Sequence, residues 1–270
     1  MAYSTDSRFS VAAGSTPQVV GPFDKFEMHA TPKYPCGYKV EVVDGSVYRY
    51  GHFGADTAQG RLVSQDISES TAILNAITVI VPASANTVTD GTLGSKYIQG
   101  TIASISINQY AGGKLLVVDN TGQGYTYDIV GNTATDDPAS GDIRIELAQP
   151  LQVALVATSD VLVMGSLYAN LEIATAATDI AIVGVTCSNM DVSAAAYGWI
   201  QTWGVVACLQ DGTCAVGDIV TLSDGTSGAY QTAAGGGTTI GDLIAEAIVG
   251  YQLITGATDG EGCLYLQLGN

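Results

Sequence analysis

Residues 197–228 read YGWIQTWGVVACLQDGTCAVGDIVTLSDGTSG, with two Asp-Gly-Thr triplets (Asp211-Gly212-Thr213 and Asp224-Gly225-Thr226) thirteen residues apart. Asp-Gly between apolar, β-branched runs signals a hairpin. The ribbon therefore reads as the wall of a β-barrel. Each triplet fits a three-residue loop whose glycine is left-handed. In that register Leu209 lies opposite Thr213 and Cys208 opposite Cys214, a pairing that permits a disulfide. A two-residue loop instead pairs Leu209 with Cys214 and turns Cys208 to the other face. Trp199, Gln201 and Trp203 alternate onto one face. With Tyr197, the two tryptophans are candidates for the core or for an oligomer interface.

The rest of the 270 residues agrees with this reading. Hydrophobic residues make up 47%, charged residues only 13%, and there are 33 glycines. Helix surfaces are usually coated with Lys, Glu and Arg, whereas strands take β-branched residues. The expected class is all-β: antiparallel sandwich or barrel units, an extended N-terminal arm and little helix. Residues 1–33, interrupted by Pro17, Pro22 and Pro32, read as an arm laid across a surface. From Tyr34, GYKVEVVDGSVYRYGHF reads as a hairpin turning at Asp44-Gly45. KYIQGTIASISI, KLLVVDN, GYTYDIVGN, DIRIELA, DVLVMG and YANLEIA follow as short strands. A faint echo links Gly37–Tyr50 to Gly113–Tyr127, each a hairpin whose return strand carries paired tyrosines. Helix competes only after Ser68 or Ser70 and in IGDLIAEAIVGYQL. TAATDIAIVGV, from residue 175, reads as a crossing, which divides the chain into an arm (1–33), a sandwich or barrel domain (34–175) and a C-terminal β-tulip-like barrel (176–270).

Net charge is −17, so the basic footprint of a nucleic-acid binder is missing. The charge is unevenly spread. Residues 1–61 hold six basic residues against six acids, and the remainder holds three against twenty. A neutral segment on an acidic body is expected to touch something the body does not. No stretch is long and apolar enough to span a membrane, and the first residues lack the apolar core of a signal peptide. Production in a cytosol is the expectation. Five cysteines show no Cys-x-x-Cys pair and no histidine at ligand spacing, so no zinc site is expected.

Catalytic patterns are missing too. His29 and His52 are the only histidines, and no Gly-x-Ser-x-Gly elbow is present. Asp136, Asp137 and Asp142 crowd a loop without the calcium-loop pattern. AAGGGTT and TGQGY lack the Lys-Ser/Thr of a phosphate cradle. A non-enzyme without cofactor is expected.

The run GGKLLVVDNTGQGYTYDIVGNTATDDPASGDIRIELAQPLQVALVATSDVLVMGSLYANLEIA resembles virion structural proteins of tailed bacteriophages. So does VGVTCSNMDVSAAAYGWIQTWGVVACLQDGTCAVGDIVTLSDGTSGAYQTA after it, and the likeness is strongest to head decoration (cement) proteins. It covers about residues 95–270 as a pattern of strand spacing and loop chemistry. It implies a homotrimer, or another symmetric cluster, on the outer face of the capsid shell, bound to the major capsid protein and assembled in the bacterial cytoplasm. The arm then supplies the shell contacts, with Arg8, Phe9, Phe23, Lys25, Phe26, Lys33, Tyr34 and Lys39 as candidates. Tyr197, Trp199 and Trp203 are the candidates for the oligomer interface. The alternatives are a head-fibre or receptor-binding adhesin, which calls for a stalk-like repeat, and a β-sandwich hydrolase, which calls for convergent acids.

Overall fold

The computed structural model describes residues 23–65, 73–79, 91–101, 105–135, 142–156, 158–175, 182–233, 248–257 and 260–269. Among them there is no helix, and every pairing between named strands is antiparallel. The all-β reading holds. The chain forms two units, Met1–Asp66 with Tyr168–Asn270, and Ile67–Leu167.

The first unit holds β1 (Lys39–Glu41), β2 (Val47–His52), β3 (Leu62–Gln65), β10 (Leu171–Ile173), β11 (Ile182–Thr186), β12 (Tyr197–Leu209), β13 (Ile219–Leu222), β14 (Tyr230–Thr232), β15 (Ile248–Ile254) and β16 (Glu261–Gln267). Its sheet runs β10-β3-β11-β12-β16-β15-β13-β14, with β2 also paired to β12 and β1 to β2. The second unit holds β4 (Ile73–Val79), β5 (Tyr97–Thr101), β6 (Lys114–Asp119), β7 (Thr126–Asn132), β8 (Asp142–Leu147) and β9 (Asp160–Met164). They close a barrel in the order β4-β5-β8-β7-β6-β9 around Ile98, Leu115, Ile143, Ile145, Val161 and Val163. Closure gives each of the six strands a hydrogen-bonded neighbour on both sides.

The division at residue 175 is therefore corrected. The second unit is inserted into the first: β3 leaves toward it, β10 follows it, and Gln65 is the register partner of Leu171. Residues 34–65, assigned by the sequence to the first barrel, pair instead with the C-terminal strands, β2 along β12 and β3 along β10 and β11.

The local hairpins fare better. Asp44-Gly45 turns β1 into β2 with Gly45 at φ 83°, and β6 and β7 pair as the echo implies. β13 and β14 also form a hairpin, but residues 223–229 join them, with Gly228 rather than Gly225 in the left-handed region. The first triplet makes no hairpin, although Gly212 is left-handed at φ 69°. Cys208 pairs with Gly262 of β16, and no strand covers residues 213–217. Cys208 and Cys214 are both fully buried in one apolar cluster and unbonded. The helix competing after Ser68 and the one before Ile248 fall outside the described residues; residues 248–254 are strand.

A buried polar knot lies in that cluster. Gln210 Oε1 accepts from Tyr230 Oη at 3.3 Å, Gln252 Nε2 at 3.1 Å and the Gly256 amide at 3.1 Å. β16 passes it so closely that a Cβ at Gly262 would lie 1.9 Å from the Tyr230 hydroxyl. Only glycine fits there without shifting the Tyr230 hydroxyl and the Gln210 side chain.

Candidate functional site

From Phe23 to Ala30 the arm is a strip that turns once at Lys25-Phe26, where the Glu27 amide donates to the Asp24 carbonyl at 3.2 Å, and the burial of its side chains alternates. Phe23, Lys25, Glu27 and His29 turn in and are half-buried, while Asp24, Phe26, Met28 and Ala30 turn out and are exposed. Main-chain bonds fasten it to the start of β12. The His29 amide donates to the Tyr197 carbonyl at 2.8 Å, and the Tyr197 amide donates back at 3.0 Å. Ser188 Oγ donates to the Phe26 carbonyl at 3.2 Å.

Beneath the strip lies an aromatic cluster. Trp199 is 2% exposed and meets Phe23 edge-on at 5.0 Å, Tyr50 at 5.2 Å and Tyr34 at 5.4 Å between centroids. Tyr34 also stacks on Tyr38 at 5.1 Å, and Tyr50 on Tyr197 at 6.2 Å. Such pairs contribute about 0.5–1.5 kcal/mol each beyond their buried area.

A polar clasp closes the strip over this cluster. Tyr50 Oη accepts the Lys33 amide at 3.3 Å, which directs its own proton to His29 Nδ1 at 2.8 Å. That sets the tautomer with the proton on Nε2, which donates to Glu27 Oε1 at 3.0 Å. Lys33 Nζ bonds the same carboxylate oxygen. Burial pushes the Tyr50 phenol up to about 12, so it remains a donor at neutral pH. The hydrogen bond from Lys33 is the largest influence on Glu27 and holds its carboxyl below the ordinary 4.5. A lowered carboxylate stabilises the clasp above its ordinary pKa, and that contribution is lost as pH falls through the lowered value. Burial also lowers the pKa of His52, whose ring tilts against Tyr197 at 4.7 Å. Its effect has the same sign: stability is lost as pH falls below the ordinary 6.5 toward the lowered value. Acidification from about pH 7 to about pH 2 is thus expected to deprotect the His29 and Tyr197 amides in hydrogen exchange. Glu27→Gln, which has no carboxyl to titrate, should flatten the acid end of that profile. Protection unchanged across this range in the unmodified chain would refute the clasp.

The predicted contact residues therefore separate. Arg8 and Phe9 lie outside the described residues. Phe23 and Tyr34 are spent on the body's own cluster rather than turned to a partner. The Lys25 ammonium lies over the Phe26 ring at 5.1 Å and the Tyr48 ring at 5.8 Å. Lys39 stands 3.8 Å from Glu41. Phe26 remains presented outward at 59% exposure, while Lys33, half-exposed, is held by Glu27 in the clasp. Met28 and Val43 are exposed apolar residues beside them in sequence that the reading missed. Of the interface candidates, Trp199 is buried within the chain, while Tyr197 is half-buried against the same cluster. Trp203 is half-buried and meets Tyr265 edge-on at 5.9 Å.

Trp199 and Trp203 do not share a face. Trp199 pairs with Tyr50 and Gln201 with Tyr48, but after a register shift Trp203 pairs with Val47. Tyr48 and Val47 are neighbours in one strand and point oppositely, so the bulge carries the two indoles to opposite faces.

No family model, curated protein or solved structure matches this chain.

Burial pushes the Cys36 thiol up to about 11 and the Cys187 thiol to about 12, so neither is an activated nucleophile. Asp142 accepts Gln99 Nε2 at 2.8 Å, while Asp136 and Asp137 lie outside the described residues. Among the described residues no three His, Cys, Asp or Glu side chains are grouped to hold a metal, and no helix is long and apolar enough to cross a membrane.

Proposed function

We propose that this chain is a non-enzymatic decoration (cement) protein of a tailed bacteriophage, assembled in the bacterial cytoplasm and bound to the major capsid protein on the outer capsid surface. The carrying observation is the arm. It is fastened to an all-β body by its inward residues and main-chain bonds and offers Phe26 and Met28 to solvent. An ordered strip meets a partner without the ordering cost of a free tail. Its segment carries as many basic as acidic residues, whereas the remaining chain carries the full −17. The sequence resemblance supplies the virion context and favours a homotrimer. Nucleic acid and membrane have no place in this reading, and no cofactor enters it.

The test mixes purified protein with undecorated heads. Phe26→Ser with Met28→Ser is expected to weaken saturation binding at least about tenfold while the fold stays intact, because both side chains are exposed in the free protein. Wild-type density on shell axes with the double variant lost supports the proposal. Undiminished binding by the variant overturns the role of the arm, and wild-type density confined to fibres replaces cement by adhesin.

A further inference from the structure

We infer that the face of β12, β16 and β15 that carries Trp203 is a self-association surface whose occupant is a second copy of this chain. This deepens the oligomer half of the reading above. It replaces Tyr197 and Trp199 as the contact.

The strand registers lay out the face. Val205 pairs with Tyr265, Tyr265 with Tyr251, and Tyr251 with Ile219, which makes one row across four strands. Paired residues share a face. On either side of the row Trp203 stands opposite Gln267 and Ala207 opposite Cys263, with Ile254 next along. The opposite face of the same strands is already spent, because Cys208, Leu264 and Leu266 lie in the core. Yet Val205 is 55% exposed and Ile254 64%, with Tyr251 and Leu253 also open to solvent.

Charge decides the occupant. The row and its flanks carry no ionisable group except the Tyr251 and Tyr265 phenols and the Cys263 thiol. Burial pushes that thiol up, toward its neutral form. In a chain of net −17 whose charge lies outside residues 1–61, such a neutral patch is where two like-charged copies can approach without opposing carboxylates. The rim follows the same logic. Glu41, opposite Val47 at one end, has Lys39 at 3.8 Å, and Glu261, opposite Leu209 at the other, has Arg61 at 2.9 Å. Both ends are electrically balanced. An apposition with the strands reversed would set one balanced pair against the other. An aromatic and aliphatic centre with a paired polar rim is the composition of protein interfaces, and closed symmetry is the rule for copies of one chain. A cationic partner would be drawn to the acidic remainder rather than here.

The test is the mass of the full chain in solution, by sedimentation and light scattering, in low and high salt. A dimer or trimer is expected at micromolar concentrations. It should tighten as salt rises, because screening removes the repulsion between acidic copies while the apolar contact persists. Val205→Lys is expected to weaken association at least about tenfold. Val130→Lys, at an exposed apolar site of the inserted barrel, is expected to leave it unchanged. Should Val205→Lys fail to fold, Ile254→Lys reads the same face. A monomer at every salt concentration overturns the inference, as does an oligomer insensitive to both face variants. Head binding is scored separately with Phe26→Ser/Met28→Ser, so loss of shell binding and loss of the oligomer are distinguishable.

Discussion

Trp199→Ala is expected to destabilise the first unit by about 3–5 kcal/mol, the range for removing a large buried aromatic ring. The indole fills the space bounded by Phe23, Tyr34 and Tyr50 at 5.0–5.4 Å, and no two of those rings can close the gap without moving a strand or the arm. Part of the loss should be local: with Trp199 gone, Phe23 has only Tyr48, at 5.0 Å, as an aromatic partner, and the arm should become sensitive to trypsin at Lys25 and Lys33. Trp199 Nε1 is buried with no hydrogen-bond partner. Trp199→Phe, which keeps a ring and removes that orphaned donor, should therefore cost far less than Trp199→Ala. Trp203→Ala provides the contrast. It lies on the opposite face, half-buried, with one ring contact, and should cost about 1–2 kcal/mol or less. Urea unfolding of the three variants measures this. Equal losses at both tryptophans would refute the assignment of the two indoles to opposite faces.

That pair shows where sequence reading stops. Alternation over Trp199, Gln201 and Trp203 predicts one face, and nothing in the residues announces the bulge that breaks it. Turn chemistry is local and was legible: Asp44-Gly45 and the β6–β7 connection turn where the sequence says. Asp211-Gly212 signals a left-handed turn correctly, but a turn does not choose the strand that follows. The flanks of β12 are taken by β2, β11 and β16, so the chain beyond Asp211 has no edge to return along. The arm was legible as a neutral segment rich in phenylalanine. Its inward face was not, because Lys25, Glu27 and His29 turn in while Phe26 and Met28 turn out, the reverse of what hydropathy suggests. Glu27 and His29 are held by a clasp and main-chain bonds whose partners, Tyr50 and Tyr197, lie far along the chain. The nesting of the two units was hidden for the same reason. Pairings of β2 with β12 and of β3 with β11 span more than a hundred residues and leave no local mark.

Nesting leads to the largest structural prediction. Replacing Ile67–Leu167 by a short Gly-Ser linker should remove about a third of the chain and leave the first unit folded. Gln65 and Leu171 are register partners, so the exit from β3 and the start of β10 already lie side by side, and a few residues span the gap. The inserted unit closes its own barrel around its own apolar cluster, so the first unit loses no strand of its sheet when it is removed. Conversely, Ile67–Leu167 expressed alone should fold as a β protein. Loop closure works in the same direction: shortening a connection of roughly a hundred residues to about six is some four doublings. That favours the first unit by up to about 2.5 kcal/mol relative to a state in which the insert is unfolded. The intact chain should melt in two transitions, one belonging to each unit. The excised chain should keep one of them, together with the protected His29 and Tyr197 amides of the clasp. If the excised chain is unfolded while the intact chain melts in a single step, the two units depend on each other for stability, and the insertion is not a separable module.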